Sequence, residues 1–314
     1  MPAATDTIIT IDGHYVRPQR AAAYLVLDGD EAAFVDNATR FAVPDLLKTL
    51  KDQGLSPEQV RYAIVTHVHL DHSGGTAELV KHCPNATVIA HPRAGRHIVD
   101  PTRLIQSARP IYGDAFFEQY FGEIEPVDAN RVRTIEEGEE LPLGNRVFTV
   151  YHTPGHAKHH LVVRDSATNS MLAGDAFGLA QRRLQEGERP YLSYVCSPPD
   201  FDPAAAKDSL RKILNAGVDR VFLTHYGEFN ALEEGVAQLE ESHDAFDAIA
   251  NSAAATDLEG QALLDYCTEK TRTQLLNEVR AVGLDPADED VYYWATAELP
   301  VSAQGIAWLA QKRR

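Results

Sequence analysis

The sequence predicts an α/β protein, with two packed sheets carrying helices on their outer faces and a helical C-terminal region. Three observations predict it. Short apolar and β-branched runs fall into two blocks, one between Ile8 and Ala90 and one between Val147 and Leu223. Helical stretches accompany each block, the pattern of sheets that bury one face on each other and the other under helices. Beyond about residue 228 helix spacing takes over, and the segment 252–314 carries no strand signal.

The elements follow in order. Ile8 to Ile11 is a short apolar strand, and Ala22 to Leu27 and Ala32 to Val35 flank the hairpin turn Asp28-Gly29-Asp30. Pro44 opens a helix that runs to about Gln53 with Leu46, Leu47 and Leu50 on one face, and Gly54 stops it. Tyr62 to Thr66 reads as a buried strand, Gly75 to His82 as a helix and Thr87 to Ala90 as a strand. In the stretch 91–130 the readable signal is Phe116, Phe117, Tyr120 and Phe121, whose spacing suits one helix packing its aromatic face into a core or lid. Strands return at Val147 to Tyr151, Leu161 to Val163, Met171 to Leu172 and Val221 to Leu223, with a helix from about Pro203 to Asn215. Leu232, Val236, Leu239, Phe246 and Ile249 then carry helix spacing, and turns are expected at Gly283 to Pro286 and at Leu299-Pro300.

Composition narrows the function. The 314 residues are 44% apolar and 24% charged, an ordinary globular balance. With 29 basic and 46 acidic residues the formal charge is −17, which repels phosphate backbones and anionic lipid, so neither nucleic acid nor membrane is an expected partner. Cys83, Cys196 and Cys267 are widely spaced and form no CxxC pair, the usage of reduced thiols rather than of disulfides. The first residues lack the basic and apolar regions of a signal peptide, and no apolar run approaches the roughly 20 residues of a membrane span. The expected setting is soluble and cytoplasmic.

The chemistry concentrates in Thr66-His67-Val68-His69-Leu70-Asp71-His72-Ser73-Gly74-Gly75, between a strand and a helix. Three histidines and an aspartate fall within six positions. Side chains alternate along an extended chain, so His67 and His69 share a face, and Asp71 and His72 come round as the chain turns. Imidazole and carboxylate are ligands for zinc, manganese or iron. Gly74 and Gly75 are expected to let the backbone bend tightly.

His67-Val68-His69-Leu70-Asp71-His72 followed by Ser-Gly-Gly resembles the signature of the metallo-β-lactamase-fold metal-dependent hydrolases, in their glyoxalase II and lactonase-like branch. The later parts of that pattern occur in order after strands, at Thr153-Pro154-Gly155-His156, at Leu172-Ala173-Gly174-Asp175 and at Leu223-Thr224-His225. The resemblance implies a four-layer αββα metallo-β-lactamase-type sandwich over residues 1–250, with a C-terminal helical extension over 251–314. It implies two divalent metal ions, zinc first and iron or manganese as alternatives. His67, His69 and His156 would hold one ion, Asp71, His72 and His225 the other, and Asp175 would bridge both, since a carboxylate has two oxygens to share.

By the same resemblance, a metal-bridged hydroxide attacks the carbonyl of an ester, lactone or thioester of a small-molecule substrate. Asp71, with one oxygen free, is the candidate catalytic residue that orients the water or passes a proton to the leaving group. His160, Tyr194, Tyr226 and Arg182 are candidate substrate-binding residues, with support from behind the ligand histidines as the equal alternative for His160, and core packing and surface ion pairing as the competing readings of Tyr226 and Arg182. His159 is expected to face solvent and His152 to be structural. His14, His82, His91, His97 and His243 are background. A mononuclear iron dioxygenase acting on persulfide-type substrates, a phosphodiesterase, and a ligand-sensing protein on a hydrolase scaffold stay open. The extension has two readings, a cap over the site or a homodimer interface.

Overall fold

A computed structural model describes residues 7–314. Strands β1 (Thr7–Asp12), β2 (Ala22–Asp28), β3 (Glu31–Val35), β4 (Val60–Val65), β5 (Thr87–Ala90) and β6 (Val132–Thr134) form one sheet in that order. Its first three strands run antiparallel, and the rest join in parallel. Strands β7 (Glu140–Leu143), β8 (Arg146–His152), β9 (Leu161–Asp165), β10 (Ser170–Gly174), β11 (Arg220–Leu223) and β12 (Gly227–Phe229) form a second sheet, ordered β12-β11-β10-β9-β8-β7. The helices are α1 (Val43–Asp52), α2 (Leu70–Ser73), α3 (Thr76–His82), α4 (Pro92–Val99), α5 (Thr102–Tyr112), α6 (Asp114–Tyr120), α7 (Pro203–Asn215), α8 (Leu232–Ala254), α9 (Gly260–Ala281), α10 (Glu289–Thr296) and α11 (Leu299–Lys312).

The chain divides into two compact units. Of the described residues, the first comprises 7–152, 159–174 and 218–228, and the second 153–158, 175–217 and 229–314. The boundary expected at 250/251 lies inside the continuous helix α8.

In the first unit the period-2 alternation of strands builds two cores at once. Every residue of β2 is buried. Ala23, Leu25 and Leu27 face an outer core with Leu46 and Leu50 of α1, Leu79 and Val80 of α3, and Ala94 and Ile98 of α4. Ala22, Tyr24 and Val26 face the other way, into a core shared with Phe148, Val150, Leu161, Val163, Leu172 and Phe222 of the second sheet. Helices, sheet and sheet are thus three stacked layers of the sandwich. A buried ion pair lies within the second sheet, where Arg146 donates to Asp165 Oδ2 at 3.1 Å, and the same guanidinium reaches the first sheet by donating to the Leu27 carbonyl at 2.8 Å, with both charged side chains fully buried.

The second unit is helical. Asp202 caps α7 by accepting from the backbone N–H groups of Ala204 and Ala205, and Pro203 occupies its first position. Leu184 and Tyr191 pack with Val279 of α9, with Val282 and Leu284 after it and with Val291 and Ala295 of α10. The expected C-terminal helical region is therefore present as α9, α10 and α11. The expected turn at Leu299-Pro300 is instead the first turn of α11. Helices α4 and α5 and strands β6, β7 and β12 were not foreseen. The strands are 3 or 4 residues long and, unlike the equally short β5 and β11, carry no continuous apolar run. Helix α4 starts on the imidazole of His91, which accepts from the Arg93 N–H in a capping role usually read from Ser, Thr, Asn or Asp.

Candidate metal centre

The loop after β4 carries His67 and His69, and α2 carries Asp71 and His72. His225 stands two residues past β11, and Asp175 directly follows β10. The first unit holds His67, His69, Asp71, His72 and His225, and the second holds His156 and Asp175.

Within the first unit, one donor atom from each of Asp71, His72 and His225 lies within 4.8 Å of the others, a group able to hold a metal ion. His225 Nδ1 donates to the Arg20 carbonyl at 2.6 Å, and its Nε2 lies 3.3 Å from Asp71 Oδ2. His72 Nδ1 donates to Asp36 Oδ2 at 2.7 Å, and its Nε2 lies 3.9 Å from the same Asp71 oxygen. A proton held at Nδ1 leaves each Nε2 with a lone pair, so two imidazole lone pairs and a carboxylate oxygen face one another. A group of this kind could hold a metal ion, with outer hydrogen bonds to its histidines already made. Nearby, His67 Nε2 lies 2.8 Å from His69 Nδ1, and His67 Nδ1 reaches Thr66 Oγ1 at 3.2 Å. Within the second unit, His156 Nδ1 donates to the Val195 carbonyl at 3.2 Å, and its Nε2 lies 3.5 Å from Asp175 Oδ2.

Sequence reasoning missed Asp36. It follows β3, is 1% exposed and sits at φ 52°. Its carboxylate accepts from the Thr66 N–H at 2.9 Å, the Thr66 hydroxyl at 2.9 Å, His72 Nδ1 at 2.7 Å and the Thr224 hydroxyl at 2.7 Å. One buried side chain thereby ties the histidine-rich loop to the strand end that bears His225. The available signal was an acidic residue closing the apolar run of β3.

The glycines of the motif act differently from the expectation. Gly74 and Gly75 have ordinary right-handed angles. Gly75 is required by close approach instead, since a Cβ there would stand 2.4 Å from the Asn37 carbonyl oxygen. At Gly174 the backbone is left-handed, φ +49°, and a Cβ would meet Thr66 Oγ1 at 2.7 Å and His160 Nε2 at 2.8 Å.

The expected substrate-binding residues sit in unlike places. His160 is fully buried and stacks on His67 with ring centroids 4.8 Å apart, the placement of its reading as a support behind the ligand histidines. His159, expected in solvent, is half-buried, with its ring 6.2 Å from that of His67 and 6.0 Å from that of His69. Tyr194 is 2% exposed and packs against His156, and Tyr226 is half-buried against the core between the sheets. Arg182 is exposed. Its neighbour Arg183 pairs with Glu186 and Asp288, the surface reading of this arginine group.

The chain belongs to the metallo-β-lactamase superfamily, which its residues 16–225 match. The metallo-β-lactamase fold-containing protein ST1585 of Sulfurisphaera tokodaii is 29% identical over 124 residues, 38% of this chain and 46% of that one. The crystal structure of ST1585 shares the fold, with a TM-score of 0.62 at 21% identity over 88% of this chain and 98% of that one. The acyl-coenzyme A thioesterase MBLAC2 of Gallus gallus is 26% identical over 51% of this chain and 59% of its own. The hydroxyacylglutathione hydrolase of Photobacterium profundum is 26% identical over 45% of this chain and 42% of its own. The chain thus spans about half the length of these curated relatives. No helix among the described residues is long and apolar enough to cross a membrane.

Proposed function

We propose that this protein is a binuclear metal-dependent hydrolase of a small acyl compound, an ester, lactone or thioester. His67, His69 and His156 would hold one divalent ion, Asp71, His72 and His225 would hold the second, and Asp175 would serve both, with zinc the metal best suited to the donor set. The observation that carries the reading is the convergence of Asp71, His72 and His225 around one point, with the outer nitrogen of each histidine already committed. Kinship with an acyl-coenzyme A thioesterase and a hydroxyacylglutathione hydrolase supports a thioester among the candidate bonds.

Two bound divalent ions lower the pKa of water towards neutrality and polarise a carbonyl oxygen. The chain's own residues supply the rest. Asp71 places one carboxylate oxygen among the ligand nitrogens, and its other oxygen orients the attacking water or passes a proton to the leaving group. His159, beside His67 and His69, takes the substrate-facing part expected of His160. The buried bond from His72 to Asp36 keeps the ligand ring fixed while charge develops.

Metal analysis of purified protein, joined to assays of Asp71→Asn on an ester, lactone, thioester and phosphodiester panel, tests this. The expected result is two metals per chain and an Asp71→Asn turnover at least tenfold below wild type with a smaller loss of metal. Parallel loss of both would leave Asp71 a ligand alone. One iron per chain with oxygen uptake would replace the proposal by the dioxygenase reading.

A further inference from the structure

His243 lies on α8 and is 0% exposed. Neither of its ring nitrogens has a hydrogen-bond partner. Burial pushes its pKa from 6.5 down to about 3, so the imidazole is uncharged at neutral pH. The charged groups nearest in effect are Lys207 and Asp244, and these pair with each other. A buried imidazole with no hydrogen bond is costly, so a reason for a histidine here must lie in what its ring touches.

Its closest ring is that of Tyr194, centroid to centroid 4.2 Å and nearly perpendicular at 84°. A perpendicular contact at this distance lets the imidazole N–H meet a π face. Tyr194 is 2% exposed, and the same ring also meets His156, 6.0 Å away at 84°. The next residue, Val195, accepts the Nδ1–H of His156. Two consecutive residues therefore hold His156, one through its ring and one through its carbonyl, and the ring is clamped from α8. Phe201 closes the group, 6.1 Å from Tyr194 and 6.2 Å from His243.

We propose that His243 is a positioning residue for metal binding: by fixing the Tyr194 ring it fixes the tilt of His156, and so the affinity of the ion that His156 holds. This rests on the reading of His156 as a ligand. His243 touches neither metal nor substrate in this account. Outer partners of ligand histidines are commonly worth about 10- to 100-fold in metal affinity.

Competition with a chelator gives the zinc affinity of wild type, His243→Ala and His243→Asn, the last keeping a small polar side chain should the alanine variant fail to fold. Phe246→Leu, which trims another fully buried side chain of α8, controls for general loosening. The expected result is zinc binding at least about tenfold weaker in the His243 variants, with altered visible absorption of the cobalt-loaded protein. Phe246→Leu should lower Tm and leave both unchanged. Wild-type affinity and spectrum in the His243 variants would overturn the proposal, as would equal weakening by Phe246→Leu. A His156→Ala protein that binds zinc as tightly as wild type would remove the premise instead of the link.

Discussion

Asp36 ties the candidate ligand loop to the strand end that bears His225. Its four accepted hydrogen bonds join the Thr66 backbone, Thr66, His72 and Thr224 in a buried place. Replacing it by alanine leaves three buried donor side chains without their acceptor, at about 1–3 kcal/mol each. Asp36→Ala should therefore weaken zinc binding by about tenfold or more and lower Tm, read by chelator competition and thermal melting. At this scale the sequence spoke unevenly. His67, His69, Asp71 and His72 stood out because ligation demands particular side chains at close spacing, and few loops supply them by chance. Asp36 did not, because one acid after a strand is commonplace and its partners lie 30 to 188 positions away. His159 and His160 are neighbours in sequence, and only the packed fold shows which is buried against His67.

Helices and strands carry two further consequences. The fully buried Arg146 anchors β8 to β9 through Asp165 and to β2 through the Leu27 carbonyl. Removing one partner of such a pair strands the other charge, so Arg146→Ala should cost about 3–5 kcal/mol in urea unfolding. Helix α8 makes stability depend on pH through His243. The unfolded chain takes up a proton on this residue below 6.5, while the folded chain resists until about 3, so stability is full above 6.5 and falls as pH drops towards 3. In metal-free protein, the unfolding free energy of wild type relative to His243→Leu should fall by about 2 kcal/mol between pH 7 and pH 5. A difference that stays flat with pH would mean that His243 takes up its proton as readily in the fold as in the unfolded chain. Elements were legible where an apolar run or a repeated period marks them. The strand expected at Thr87 to Ala90 and the helix expected at Pro203 to Asn215 coincide with β5 and α7. The edge strands β6, β7 and β12 were not, since Val-Arg-Thr, Glu-Leu-Pro-Leu and Gly-Glu-Phe are short and carry charged, proline or glycine residues in place of an apolar run.

At the scale of the molecule, a metal that binds only the folded chain stabilises it by mass action, about 2.7 kcal/mol at a hundredfold excess over Kd. Chelation should lower Tm by roughly 5 °C or more, and added zinc should restore it. An unchanged Tm would count against metal at this site. The three cysteines are fully buried, and burial pushes the Cys83 thiol up to about 12 and the Cys267 thiol up to about 11. The folded protein should therefore resist a thiol reagent that reacts with all three after unfolding. By itself the sequence determined the family, the two sheets and the identity and order of the metal-ligand candidates, because strand alternation and ligand chemistry are local and leave a short-range trace. Tertiary structure alone decided that Asp36 secures the loop, that His160 backs His67 and that His243 reaches His156 through Tyr194. Those roles depend on distances between residues far apart along the chain, and these become defined only when the cores close.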